Sequence, residues 1–219
     1  SAGTDVWVLT SGRGLTADKA RQLCDAGVTG VALSLDHWDA SAHDRFRGAP
    51  GSFDGVERAA GQARAAGLLV ALSLCPTRSF VTAANLQRYG ETARSLGASF
   101  IQILEPKPVG RYAGRDVALE PAQQRLLEAF CDRLNTADAA TDLPGVRYQD
   151  WSARSVGCSG AGDRYLYIDT EGDMHACPFC RAPGVRVLDH DLSAAVSMLQ
   201  TAGCPAGSCG HHSTMRTWL

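Results

Sequence analysis

The sequence predicts an α/β protein: part of a (β/α) barrel, followed by a small cysteine-rich β-hairpin module. Three observations lead there. Gly27, Gly67 and Gly97 each close a helical stretch, and an apolar run begins within a few residues of each. The runs are continuous rather than alternating, which implies burial on both faces and hence a parallel sheet covered by helices. Five of the 8 cysteines fall within the last 62 residues, after this rhythm stops at Pro144.

The elements follow in order. Residues 5–10 (DVWVLT) read as a short strand. Thr16 is an N-cap with Asp18 in the first turn, and Ala20, Leu23 and Cys24 form one helix face. Residues 28–35 are the second strand. Ser52 caps a longer helix that places Val56, Ala59, Ala60 and Ala63 on one side. Residues 68–75 are the third strand, 82–96 the third helix, 99–104 the fourth strand and 120–135 a last helix carrying Leu126, Leu127, Phe130 and Leu134. Right-handed βαβ crossovers follow by default. Four strands cannot close an eight-stranded barrel of about 250 residues, so the stretch is part of a barrel or an open sheet.

In parallel α/β architectures chemistry gathers where strands end. The residues there are polar: Thr10, Ser11 and Arg13; Ser34, Asp36, His37 and Trp38; Thr77 and Arg78; Glu105 and Lys107. Any one of them is an ordinary loop residue; their convergence on one rim makes them candidates as a set.

Composition bounds the rest. The 219 residues carry a net charge of −2 and 45% hydrophobic residues, which excludes a wholly disordered chain. No run approaches the roughly 18 apolar residues of a membrane span. The near-neutral charge argues against nucleic acid as a partner. Clustered cysteines without a secretory signal imply a reduced, cytoplasmic compartment and a metal or cluster site rather than a disulfide scaffold.

Residues 164–169 alternate like a strand with one exposed face, Thr170 to Asp173 form a turn with Gly172 suited to positive φ, and Met174 to Cys177 return as a second strand. Cys158 lies before this hairpin, Cys177 and Cys180 at its end, and Cys204 and Cys209 downstream. Four thiolates around one point suit an iron–sulfur cluster or Zn²⁺, and ligand count does not separate the two. A thioredoxin-like pair at Cys177 and Cys180 would need a strand-to-helix setting that a hairpin does not supply. His211 and His212 are substitute ligands or a solvated tail.

The order of these pieces resembles the radical S-adenosylmethionine (SAM) superfamily, in particular members with a C-terminal SPASM or twitch cluster domain. TSGRGLT (10–16) is similar to the family's T-N-G turn after the third barrel strand, with Ser11 in place of Asn. VALSLDHWDASAHDRFRGAPGSF (31–53) is similar to the fourth-strand segment, with its S-L-D, H-D, R-G and G-S-F. The following segments resemble strands five and six, the latter leading into EPKPVGR (105–111). Cys158, Gly172 and Cys177 fit the family spacing C-x(9–15)-G-x4-C, within the family-like hairpin LYIDTEGDMHACPF (166–179).

The resemblance implies that residues 1–140 are the C-terminal strands of a six-stranded partial barrel and 141–219 an iron–sulfur module. It implies cofactor-binding roles for Ser34 and Asp36 at the SAM site and for Arg47 near the SAM carboxylate. It makes Cys158 and Cys177 ligands of an auxiliary [4Fe–4S] cluster, completed from Cys180, Cys204 and Cys209. Five cysteines cannot fill two four-cysteine clusters, so a single-cluster, twitch-like module is expected. The activity implied is radical hydrogen abstraction from a peptide or small-molecule substrate; no catalytic residue is assigned.

Two motifs of the family are absent: the C-x3-C-x2-C that holds the SAM-cleaving cluster, and the glycine-rich motif after the second barrel strand. Both belong to βα units that would precede Ser1. The expectation is a C-terminal portion of a longer enzyme, inactive by itself and completed by an N-terminal segment or a partner chain; the alternative is a natural protein that lost the reductive half. An unpaired first-strand edge would favour a homodimer. Two other readings remain: a non-catalytic iron–sulfur or zinc module docking to a partner protein, and an α/β-barrel hydrolase or isomerase using Asp36, His37 and Glu105 with structural zinc.

Overall fold

The computed structural model describes residues 3–136, 142–156, 160, 162, 165–179 and 184–203. The chain divides into two compact units, residues 1–149 and 150–219.

The first unit is a five-stranded, all-parallel sheet with its strands in sequential order. Its elements are β1 (Trp7–Thr10), α1 (Ala17–Asp25), β2 (Gly30–Ser34), α2 (Ala40–Arg47), α3 (Ser52–Ala65), β3 (Leu69–Leu74), α4 (Ala83–Ser95), β4 (Phe100–Ile103), α5 (Pro121–Asn135) and β5 (Gly145–Tyr148). Sequential order without a reversal is the topology of a barrel segment rather than of a doubly wound sheet. The sheet is not closed among the described residues. Its core is Val31, Leu33, Val70, Leu72, Leu74, Ile101 and Ile103 from the strands, against Val56, Ala59, Ala60 and Ala63 of α3 and Leu86 and Tyr89 of α4. Each of these large aliphatic side chains contributes about 2 kcal/mol by leaving water.

Several local expectations hold. The Thr16 hydroxyl accepts the Lys19 amide at 3.3 Å and caps α1. α3 buries Val56, Ala59, Ala60 and Ala63 as expected, and Thr82, read as the start of the third helix, is the N-cap of α4.

Three features differ from the expectation. First, α2 forms in a stretch to which the sequence reading assigned no element, started by the Asp39 side chain on the Ala42 amide and ended by Gly48 at positive φ. Second, Ser52 is the first helical residue of α3 and not its cap. The cap comes from α2: Asp44 accepts from the Gly51 amide at 2.6 Å, the Ser52 hydroxyl at 2.8 Å and the Phe53 amide at 2.9 Å. Third, the βα rhythm continues past Pro144, because β5 pairs in parallel with β4. Only four residues long and with an exposed Arg147, β5 lacks the continuous apolar run that marks its neighbours.

The second unit contains α6 (Gln149–Val156) from its second residue onward, then β6 (Tyr167–Ile168), β7 (Asp173–His175), β8 (Val185–Arg186) and α7 (Leu192–Ala202). The hairpin of β6 and β7 is antiparallel as predicted, with Gly172 at φ 85° in its turn. The Asp169 carboxylate accepts the Glu171 and Asp173 amides, each at 3.0 Å, and meets His175 Nε2 at 3.0 Å. β8 extends the hairpin to three strands. Met174, Ala176 and Cys177 pack on Ala195 and Leu199 of α7. Of the five cysteines assigned to this module, Cys177 is described and only 3% exposed. Cys158, Cys180, Cys204 and Cys209 lie outside the described residues, as do His211 and His212.

Candidate functional site

The parallel sheet brings the C-terminal ends of β1 and β2 to one edge, and a cleft of about 840 Å³ opens there. The 11–16 loop after β1 forms one wall and the 48–52 loop between α2 and α3 another; Ser34 and His43 also contribute. Gly55, Arg58 and Gln62 add a stripe from α3 at the i, i+3, i+7 spacing of one helix face.

The wall after β1 requires glycine. Gly12 has φ 79°, and a Cβ there would come within 2.9 Å of Ala59 Cβ. Its amide donates to Thr10 Oγ1 at 3.1 Å, which turns the chain sharply out of the strand. The loop therefore lies directly on α3.

Ser34 ends β2 and lines the cleft, as does Arg47 at the end of α2. Asp36 does not line it. The Asp36 side chain is 2% exposed, its Oδ2 lies 2.6 Å from Arg47 Nε, and its Oδ1 accepts the Cys75 amide at 3.1 Å. Burial pushes the Asp36 carboxyl above the usual range, against the pull of Arg47 and the Cys75 amide. Two further atoms matter to a ligand. Gln62 Oε1 is buried with no hydrogen-bond partner among the described residues. His43 Nδ1 accepts the Asp36 amide at 3.1 Å; burial, aided by the nearby Arg47 charge, lowers its pKa to about 4, so the ring is neutral at pH 7 and carries its proton on Nε2.

Of the other predicted rim residues, Ser11 and Arg13 line the cleft, and His37, Trp38, Arg78 and Glu105 are engaged elsewhere. His37 Nδ1 accepts the Asp39 amide at 2.9 Å, and Trp38 donates to Asn85 Oδ1 at 3.0 Å beneath the Arg88 guanidinium. Arg78 is clamped by Asp116 at 2.5 and 2.9 Å and donates to the Ala118 carbonyl at 2.7 Å. Glu105 accepts from the Tyr148 hydroxyl and, at 3.2 Å, from Gln124. The Asp36–His37–Glu105 set of the hydrolase reading thus divides among separate partners. Sequence reasoning missed His43, Arg58, Gln62 and the 48–52 loop. The α3 stripe was readable as a polar spacing on a helix; the loop was not, because α2 itself was not expected.

Among the described residues no three His, Cys, Asp or Glu side chains converge to hold a metal ion.

No protein-family model matches the chain. Curated relatives do. Mycofactocin maturase MftC of Mycobacterium tuberculosis is 31% identical over 235 aligned positions, covering 94% of this chain and 56% of the relative. PqqA peptide cyclase of Methylocella silvestris is 29% identical, with 88% and 53% covered. AdoMet-dependent heme synthase of Nitratidesulfovibrio vulgaris is 29% identical, with 76% and 47% covered. Among solved structures, anSMEcpe with bound AdoMet matches with a TM-score of 0.69 at 14% identity, covering 90% of this chain and 58% of that one. SuiB of Streptococcus suis bound to S-adenosylmethionine matches with 0.66 at 13% identity, with 94% and 53% covered.

The homologues are radical SAM enzymes, and the α/β fold with its parallel sheet is shared with solved members of that class. The chain spans about half the length of the curated relatives it matches.

Proposed function

We propose that this chain is the portion of a radical SAM enzyme that binds the amino-acid end of SAM and carries an auxiliary iron–sulfur cluster, and that the whole protein modifies a peptide. One observation carries the reading: Ser34 and Arg47, the residues assigned to SAM by resemblance, both line the cleft at the ends of β1 and β2. The donor set fits. Arg47 offers a carboxylate a guanidinium fork, Ser34 a hydroxyl, and Gln62 Oε1 an acceptor that awaits an N–H or O–H from the ligand. The neutral His43 adds a donor without adding charge.

SAM bound beside a reducing cluster supplies the radical that removes hydrogen from the substrate. The residues here bind and orient; they move no proton in that step. Peptide substrates are supported by the relatives: one is named a PqqA peptide cyclase, and SuiB has been solved with its precursor peptide SuiA.

For the auxiliary [4Fe–4S] cluster, Cys177 is the described member of the proposed ligand set with Cys158, Cys180, Cys204 and Cys209. Its burial in an apolar pocket with Met174 and Leu199 suits a thiolate cluster shielded from water. The N-terminal motifs of the superfamily are expected in a preceding segment or partner chain.

Metal and sulfide analysis with the visible spectrum of residues 1–219, prepared anaerobically, tests the cluster. About four irons and four sulfides per chain are expected. One zinc in a colourless protein overturns the cluster and favours the zinc-module reading. SAM binding that survives Arg47→Ala unchanged overturns the cleft assignment.

A further inference from the structure

Asp36 is the site residue whose surroundings fit a direct ligand contact least. Its side chain is 2% exposed; Oδ1 accepts the Cys75 amide, whereas Oδ2 is buried in ion-pair contact with Arg47 without an oriented hydrogen bond among the described residues. Oδ1 is held by the Cys75 amide just beyond β3, the Asp36 amide donates to His43 within α2, and Oδ2 lies 2.6 Å from Arg47 Nε at the end of α2. The residue is thus anchored on two sides before it meets Arg47.

Arg47 is the opposite case. Its side chain is 32% exposed and lines the cleft, and an arginine left to itself would sample many rotamers. Its shortest contact with Asp36 is through Nε. The two terminal nitrogens of a guanidinium form the end-on fork that a carboxylate accepts bidentately.

We propose that Asp36 is a positioning residue that reaches the bound ligand only through Arg47, fixing the guanidinium so that its terminal nitrogens read the ligand's carboxylate. This rests on the reading of the cleft as a SAM site, and it deepens that reading by making recognition of the carboxylate depend on a residue that touches no ligand atom. Stability gives little reason for the pair: the desolvation of a buried carboxylate offsets much of what its partner returns, and Asp36 is held above its ordinary pKa despite the adjacent guanidinium. A buried ion pair that adds little to folding is better explained by the geometry it imposes.

The test uses Asp36→Asn, which keeps the shape and the acceptor for the Cys75 amide, in the full-length protein. Two probes are titrated: SAM, and 5′-methylthioadenosine, which has the nucleoside and sulfur but no carboxylate. Affinity for SAM should fall about tenfold and affinity for methylthioadenosine should not change. In an Arg47→Ala background, Asp36→Asn should cost nothing more. An equal loss for both probes, or no loss for SAM, overturns the positioning role while leaving the SAM site standing. Binding of neither probe by the unaltered protein overturns the SAM site and this inference together. A measurement on the unaltered protein guards against a variant that does not fold: the Arg47 guanidinium should already be restricted in its motion, by side-chain NMR relaxation, before SAM is added. A guanidinium as mobile in the free protein as that of a fully exposed arginine overturns the proposal.

Discussion

Asp44 in α2 accepts the amide of Phe53 in α3 at 2.9 Å, so that one helix supplies the cap of the next. The same carboxylate holds the Gly51 amide and the Ser52 hydroxyl, which pins the end of the 48–52 wall of the cleft. These hydrogen bonds, led by that of the Phe53 amide, hold the Asp44 carboxyl below the ordinary carboxylate range. Asp44→Ala should lower Tm by a few degrees. It should also speed hydrogen exchange at Gly51 and Phe53 ahead of the rest of α3. Unchanged exchange at those two amides would show that the loop holds its shape without Asp44.

His43 makes stability fall on the acid side. Its folded-state pKa is about 4 against an ordinary 6.5, with burial as the largest cause. The unfolded chain therefore takes up this proton first as pH falls. The contribution is fully present above pH 6.5 and is lost progressively down to about pH 4, reaching about 3 kcal/mol. Denaturant unfolding at a series of pH values should show this slope, and His43→Gln should flatten it.

Gly12 tolerates no side chain. At φ 79°, with Ala59 Cβ 2.9 Å from the ideal Cβ position, Gly12→Ala should cost about 2 kcal/mol. Because the 11–16 loop lines the cleft, SAM affinity should fall with it. Adding Ala59→Gly should recover part of the loss. No recovery would assign the cost to backbone strain rather than to the contact.

Cys131 should be unreactive. It is 3% exposed, donates to the Val146 carbonyl at 3.4 Å, and burial pushes its thiol up to about 11. In the native protein at pH 8, iodoacetamide should leave Cys131 unmodified, as read by peptide mass spectrometry, and label it after denaturation. Rapid native labelling would show that α5 opens readily from β5.

The parts of the fold that were legible in the sequence depend on residues close together along it. Thr16 caps α1 through an amide three residues away, Gly172 turns the hairpin at a φ that glycine favours, and the apolar runs of β2, β3 and β4 announce burial on both faces. Ser34 and Arg47 were placed by resemblance, and both line the cleft.

Tertiary structure decided the rest. Asp36 reads as a ligand-facing carboxylate at a strand end, yet the Cys75 amide, 39 residues on, and Arg47 turn it inward. Asp44 became a cap only because α2 formed and folded back on α3, while β5 became a strand because β4 offered it a partner edge. Local sequence encodes hydrogen bonds within a turn and periodicity along one element. Which buried carboxylate meets which guanidinium depends on how separate elements close the distance between them, and burial then sets the cost of leaving either one unpaired.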